Sequence, residues 1–226
     1  ESMSNPGKYA INNLTGTINL LNAATDAKIN KFVFSSSAAV YGEPKYLPLD
    51  EDHPTEPLNF YGYTKLEIEN LLIWYSKLKD IRFASLRYFN AAGYDIEGEI
   101  SGLEREPNNL IPIVLETIMG KREEVVVFGA NYDTNDGSCI RDYIHVNDLA
   151  EAHLSALAYL ERHNQDLVVN LGTSKGLSVL EILRIAREVS GTEFKYTLGP
   201  RRAGDPPVVL AEASLAEKLL DWTPKH

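Results

Sequence analysis

The chain has 226 residues, 44% hydrophobic and 24% charged, enough for one large folded domain or two smaller ones. A formal net charge of −10 and a pI near 5.0 argue against a nucleic-acid partner, which needs a basic face, but leave room for a small anionic ligand held by a few arginines. One cysteine, Cys139, excludes a disulfide framework and a thiolate metal site and fits the reducing cytoplasm. No metal site is expected. No apolar run approaches the ~18 residues of a membrane-spanning helix, so no membrane partner is expected either. Residues 1–7 have no basic region followed by an apolar stretch, so they are not a signal peptide. With Met3 not first, they do not read as a native start.

Residues 9–25 carry Ile11, Leu14, Ile18 and Leu21 at helical spacing. Residues 31–35 read as a short buried strand. Residues 41–59, with prolines at 44, 48, 54 and 57, read as a loop that leads into a long helix over 60–79. A strand at 82–88 precedes a glycine- and acid-rich loop at 90–108. A helix over 109–119 stops at Gly120, and a strand follows at 125–128. Beyond a polar loop come a strand at 143–146 and a helix to about residue 162, with Asn147 as the expected cap. After a strand at 167–171, Ser178 and Glu181 form a capping box that opens a helix ending before Gly191. Ser214 and Glu217 are expected to open a last short helix in the same way. Strands alternating with helices predict an α/β fold with a parallel sheet covered on both faces. The composition shift at Asn90 is the expected domain boundary.

Tyr61 and Lys65 stand one helical turn apart at the start of the 60–79 helix, so phenol and ammonium share a face. A cation beside a phenol lowers its pKa from about 10 toward neutrality, which makes a tyrosine usable as a general base. Just upstream, Ser35, Ser36 and Ser37 follow an apolar strand, and a serine beside the phenol can share a substrate proton. This is equipment for moving hydride and proton at a secondary alcohol. Polar groups also end the strand in Leu86-Arg87-Tyr88-Phe89-Asn90, where open α/β sheets bind ligands. Arg141 heads another strand, and Arg201-Arg202 lies in a late loop. Arg141 and Arg202 together would clamp a diphosphate if the fold brings them close. Simpler structural roles are expected for Ser35 and Ser36 as strand-end turn residues and for His145 as a packed side chain. His53, His153 and His163 are expected at the surface, Asp50-Glu51-Asp52 in a solvated loop, and Trp74 and Tyr75 in packing or a dimer contact.

The strings SSSAAVYG at 35–42, YGYTK at 61–65, LRYFNAAG at 86–93, PNNL at 107–110, RDYIHVNDLA at 141–150, NLGT at 170–173 and RRAGD at 201–205 occur in one order. In that order they resemble the UDP-glucose 4-epimerases of the extended short-chain dehydrogenase/reductase superfamily. The resemblance implies a Rossmann-like parallel sheet with a smaller α/β substrate domain. Residues 1–90 would be the second half of an NAD-binding domain and 91–226 a UDP-sugar-binding domain, with about 143–171 returning to the Rossmann sheet. It implies an NAD-dependent isomerase that interconverts UDP-glucose and UDP-galactose by transient oxidation at sugar C4. Carried over, Ser37, Tyr61 and Lys65 are catalytic. Asn12, Ser37, Tyr61, Lys65, Tyr88 and Phe89 lie along the NAD, and Asn90, Asn109, Leu110, Phe128, Arg141, Tyr143, Arg202, Asp205 and Val209 hold the UDP-sugar. A homodimer through the helices at 13–25 and 60–77 is implied as well.

The chain departs from the family in three places. Ala39 stands where a threonine is common. Val209 borders the sugar's C2 side, and its small size favours UDP-N-acetylhexosamines as further substrates. No GxxGxxG occurs, so the chain is expected to be a fragment of a longer protein, inactive alone and poor at holding NAD. The alternatives are another epimerase, dehydratase or reductase for sugar nucleotides, or a non-catalytic scaffold. The absence of an acidic pair at Ser37-Ala38 argues against a 4,6-dehydratase, and intact Ser37, Tyr61 and Lys65 argue against a scaffold.

Overall fold

The computed structural model describes residues 1–100, 106–202 and 204–226; residues 101–105 of the expected 90–108 loop and Ala203 of the RRAGD string lie outside the described residues. Pro6 at the first helical position and Asn5, whose Oδ1 accepts from Lys8 N at 3.3 Å, start the first helix earlier than its apolar spacing suggests. It runs as α1 (Pro6–Tyr9), a π-helical turn (Ala10–Thr15) and α2 (Gly16–Asp26). Strand β1 (Lys31–Ser35) leads into a short 3₁₀ turn (Ala38–Val40), and the 43–59 segment into α3 (Phe60–Lys79). Asn59 caps α3 by accepting from Gly62 N at 2.8 Å.

Next come β2 (Arg82–Tyr88), β3 (Asn90–Ala92), α4 (Leu110–Ile118), β4 (Glu124–Phe128), β5 (Ile140–His145) and α5 (Val146–His163). The chain closes with β6 (Leu167–Leu171), β7 (Gly176–Ser178), α6 (Val179–Ser190), β8 (Lys195–Gly199), β9 (Val208–Val209) and α7 (Ser214–Leu220).

Strands β1, β2 and β6 pair in that order, all parallel. Alternation along β2 explains its near-continuous burial. Phe83 points into a cluster with Leu21, Phe34, Ile68 and Leu72 under α2 and α3. Ala84 and Leu86 point the other way, to Ala152, Ala156 and Leu160 of α5 and to Trp222. The small alanines of α5 let that helix lie close on the sheet. Strand β5 is the centre of a second sheet, parallel to β3 and β9 and antiparallel to β7. Strands β4 and β8 form a separate parallel pair, packed through Val125 and Val127 on α4 and α6.

Several boundaries differ from the sequence expectation. Strand β5 begins three residues earlier, at Ile140, and its expected last residue, Val146, opens α5. The cap of α5 is His145, whose Nδ1 accepts from Asn147 N at 3.1 Å, so Asn147 lies inside the helix. The expected box at Ser214 and Glu217 does not form: Ala213 takes the cap position, and Glu212 Oε1 accepts from Ser214 N at 2.9 Å. Strands β3, β7 and β9 are two or three residues long, too short for an alternating pattern to announce them.

Ser85 shares the α3 face of β2 with Phe83 and Arg87, is fully buried, and its hydroxyl has no hydrogen-bond partner among the described residues. Leaving a buried hydroxyl unpaired is unfavourable. Ser85→Ala is therefore expected to stabilise the protein by about 1 kcal/mol, a rise of about 2–4 °C in Tm. Thermal unfolding of the two proteins checks this; an unchanged or lower Tm would mean that the hydroxyl has found a partner.

Candidate active site

The site begins where β1 ends. Phe32, Val33 and Phe34 keep the strand in the core, and the chain then turns through Ser35, Ser36 and Ser37. Ser37 Oγ accepts from Ala39 N at 3.2 Å and so caps the 3₁₀ turn. The start of α3 lies directly against that turn, which requires a glycine: a Cβ on Gly62 would meet the Ala39 carbonyl oxygen at 2.3 Å. This close approach brings Tyr61, the residue before it, near enough to Ser37 for that hydroxyl to act on its phenol, favouring the phenolate. The edge of Tyr9 meets the Tyr61 ring at 6.3 Å between centroids. Asn13 Nδ2 donates to Thr64 Oγ1 at 2.9 Å, which ties the π-helical turn to the same end of α3. Wide π turns of this kind recur at functional positions.

Lys65 lies one turn along α3 from Tyr61. Its ammonium donates to the Ser35 carbonyl at 2.8 Å and stands 4.9 Å from the Phe34 ring centroid and 5.6 Å from that of Tyr61. The expected sharing of one helix face holds, but the electrostatic outcome differs. Burial pushes the Tyr61 hydroxyl above its ordinary value, and the Ser37 hydroxyl opposes that only in part. Burial also pushes Lys65 down. In the protein alone, loss of water outweighs the effect of the cation, because Lys65 directs its ammonium to a backbone carbonyl.

Beyond the end of β2, Tyr88, Phe89 and Asn90 line a cavity of about 740 Å³ that reaches to Arg141, Phe128, Arg202 and Asp205. Asn109, Leu110 and Tyr143 line it too. Arg141 on β5 pairs with Asp205 and donates from Nη1 to the Ile140 carbonyl at 2.7 Å. The Arg202 guanidinium covers the Phe128 ring at 4.0 Å from the centroid. Arg141 and Arg202 thus face one cavity, the condition for a diphosphate clamp. Arg201 turns away, donating from Nε to Asn131 Oδ1 at 2.7 Å and covering Tyr132. Burial pushes Tyr143 up to about 12, which keeps it a neutral hydrogen-bond donor.

Five expected site residues stand apart from the cavity walls: Ser37, Tyr61 and Lys65, which gather at the end of β1, and Asn12 and Val209. Asn12 is exposed on the π-helical turn. Val209 lies on β9, packed with Phe89 against Val40, Tyr41 and Leu49. Other residues were read too lightly. His53 is 2% exposed, its Nε2 accepting from Lys45 N at 2.8 Å, so it is not a surface side chain. His153 bonds Ser35 Oγ at 3.0 Å. Glu51, expected in a solvated loop, accepts from Asn170 N at 2.6 Å. Cys139 lines the cavity, with Sγ 3.7 Å from Asp205 Oδ2. The largest omission is a buried chain from Ser36 through Glu69, Arg87 and Tyr41 to Asn170. Its one legible sign was Glu69, four residues after Lys65 on the same helix face.

The model of the NAD dependent epimerase/dehydratase family matches residues 1–172. The chain is similar to the UDP-glucose 4-epimerase of Lactobacillus helveticus, 45% identical over 226 residues, which cover all of this chain and 68% of that protein. Among solved structures it is similar to the UDP-glucose-4-epimerase of Stenotrophomonas maltophila with bound NAD and formylated UDP-arabinopyranose. That match has a TM-score of 0.95 at 40% identity and covers 100% of this chain and 68% of the other. It is also similar to the UDP-Glc/GlcNAc 4-epimerase of Campylobacter jejuni, with a TM-score of 0.83 at 42% identity and coverage of 100% and 68%.

The upward direction at Tyr61 has a checkable consequence. In the protein without cofactor, the difference in ultraviolet titration between wild type and Tyr61→Phe is expected to show a phenol ionising above the ordinary value of about 10. A folded pKa raised above the unfolded one adds stability below pH ~10 that is lost as pH climbs through the folded value. Tyr61→Phe is therefore expected to unfold less steeply with pH above ~10. Phenolate absorbance near neutral pH assigned to Tyr61 would contradict this reading.

Proposed function

The chain belongs to the NAD dependent epimerase/dehydratase family, and from that premise we propose that it interconverts UDP-glucose and UDP-galactose by transient oxidation at sugar C4. The carrying observation is that Ser37, Tyr61 and Lys65 gather at the end of β1, and that the end of the adjacent β2 opens into a cavity with two guanidinium groups. The residues present fit the nicotinamide half of NAD. Lys65 is half-buried and spends one of its three donors, on the Ser35 carbonyl, which leaves two for ribose hydroxyls. Tyr88 and Phe89 complete that side at the carboxyl end of β2, and Asn12 is assigned to it from the π-helical turn. When bound, NAD supplies the acceptor that takes hydride from C4 and later gives it back.

Tyr61 receives the proton from the sugar O4 as the C4–H bond breaks, and Ser37 hydrogen-bonds that oxygen. The 4-keto sugar then turns, so that hydride returns to its other face while Tyr61 returns the proton. Arg141 and Arg202 hold the diphosphate throughout, with Asp205 fixing the Arg141 fork, so the hexose can swing without leaving. Phe128, Asn109, Leu110, Tyr143 and Asn90 all line the cavity, and this reading assigns the first four to the nucleotide and Asn90 to the sugar. Two units share the work: residues 1–90 hold the cofactor and 91–226 the UDP-sugar, with β6 returning to pair with β2.

A homodimer through the helices at 13–25 and 60–77 is supported by the exposed Leu20, Tyr63, Ile73 and Trp74 on them. Residence in the cytoplasm is supported by the single buried cysteine. No helix among the described residues is long and apolar enough to cross a membrane.

Tyr61→Phe in the NAD-loaded protein is expected to lower kcat for UDP-galactose by about 10²–10⁴-fold, with KM little changed. Persistence of wild-type turnover would remove Tyr61 from the reaction. Acetylated sugars are a second reading, favoured by the likeness to the Campylobacter jejuni protein, with Val209, packed in one cluster with the cavity-lining Phe89, as the residue to test. Turnover of UDP-GalNAc is accordingly expected, and Val209→Tyr is expected to suppress it at least tenfold relative to UDP-galactose, about one methylene-scale contact or more. No turnover of the acetylated sugar by the wild type would sink this second reading.

A further inference from the structure

Each serine at the end of β1 engages a different element. His153 Nδ1 lies 2.7 Å from the Leu149 carbonyl, so it carries the proton and Nε2 accepts from Ser35 Oγ at 3.0 Å. Ser36 Oγ donates to Glu69 Oε1 at 2.6 Å. Ser37 turns to Ala39 N and to Tyr61. Glu69 is eight residues from Tyr61 and four from Lys65, so all three occupy one face of α3. It is 3% exposed, and Arg87 of β2 holds both its oxygens, Nε to Oε1 at 3.0 Å and Nη2 to Oε2 at 2.6 Å.

We propose that Glu69 is a positioning residue for the proton transfer at Tyr61, gripping Ser36 so that Ser37 stays at a fixed separation from the phenol. A buried ion pair adds little net stability over apolar side chains of the same volume, but it fixes direction. Here the directions matter. The pair is anchored to β2 two residues before Phe89, and its one neutral hydrogen bond to β1 goes to the neighbour of Ser37. Arg87 also donates to Tyr41 OH at 3.1 Å, and Tyr41 donates to Asn170 Oδ1 at 2.6 Å, so the grip extends to the end of β6. Without the Ser36 bond, the serine turn would keep its backbone path and the Lys65 contact to the Ser35 carbonyl, but lose the side-chain bond that joins the neighbour of Ser37 to α3.

The inference rests on the proposed roles of Tyr61 and Ser37, and Ser36→Ala tests it separately, since that change removes the tether and leaves the ion pair intact. In the NAD-loaded holoenzyme, Ser36→Ala is expected to lower kcat for UDP-galactose roughly 10- to 100-fold with KM within about twofold. The alkaline-rising limb of the kcat–pH profile should move to higher pH, because Ser37 would no longer favour the phenolate. Ser36→Thr, which restores the hydroxyl, should recover most of the loss, and Ser85→Ala should leave kcat unchanged. Rates are taken per folded, cofactor-loaded molecule, from the absorbance of reduced cofactor in single turnovers, so a fall in folded yield cannot imitate the effect. Wild-type kcat in Ser36→Ala, or a loss carried wholly in KM or in folded yield, overturns the proposal. If Tyr61→Phe keeps full activity, the underlying reading fails instead, whatever Ser36→Ala does.

Discussion

The ion pair between Glu69 and Arg87 is the constraint on which the site depends. Both side chains are nearly dry, and removing either partner would leave the other as an uncompensated buried charge. Arg87 is pushed upward because the bonds to Glu69 and Tyr41 outweigh its desolvation. From this pair the polar chain runs outward to the ends of β1, β2 and β6, where a parallel sheet presents its ligand-binding edge. An apolar core could have held the same strands together. It would not have set the rotation of Ser36 relative to α3, because dispersion contacts are weakly directional.

A second constraint acts on the nucleotide side. Strand β5 meets three short strands, and its Asp142 is fully buried. That carboxylate accepts from Thr173 N and Thr173 Oγ1, both at 2.8 Å, and from Ser174 N at 2.9 Å. It thereby fixes the loop after β6 against β5. Arg141, next along β5, is then held by Asp205 on one fork and by the Ile140 carbonyl on the other. The two arginines facing the cavity differ in a useful way. Arg141 is paired and mostly buried, whereas Arg202 is exposed and rests on Phe128. One fixed and one adjustable guanidinium suit a ligand that must stay anchored while its sugar turns.

Much of this was legible in the sequence, for a physical reason. Long elements announce themselves by period, and α3, β2, α5 and the box at Ser178 all follow the pattern their residues set. The pair Tyr61 and Lys65 was legible because helical spacing fixes a shared face. Three kinds of feature were not. Strands β3, β7 and β9 are held by pairing to β5, which no local pattern reports. Caps depend on which side chain rotates inward, so His145 displaced Asn147. Buried polar contacts between distant residues, such as Glu51 with Asn170 or Ser35 with His153, arise from tertiary approach alone. Charge in a loop and histidine on a helix read as surface until the partner across the fold is known.

The most instructive divergence concerns the base strength of Tyr61. A lysine one turn away suggests a phenolate held ready, yet burial raises the phenol and lowers the lysine, so each favours its neutral form. A further cation within about 4–6 Å would lower an acid's pKa by about 1–3, and the oxidised pyridinium ring of NAD is a cation of that kind. On this view the site does not store a reactive base. In the proposed reaction the approach at Gly62 and the Ser36–Glu69 contact would hold Ser37 near Tyr61, while bound NAD would supply the basicity. Proton acceptance by Tyr61 would then be confined to the state in which hydride also has somewhere to go.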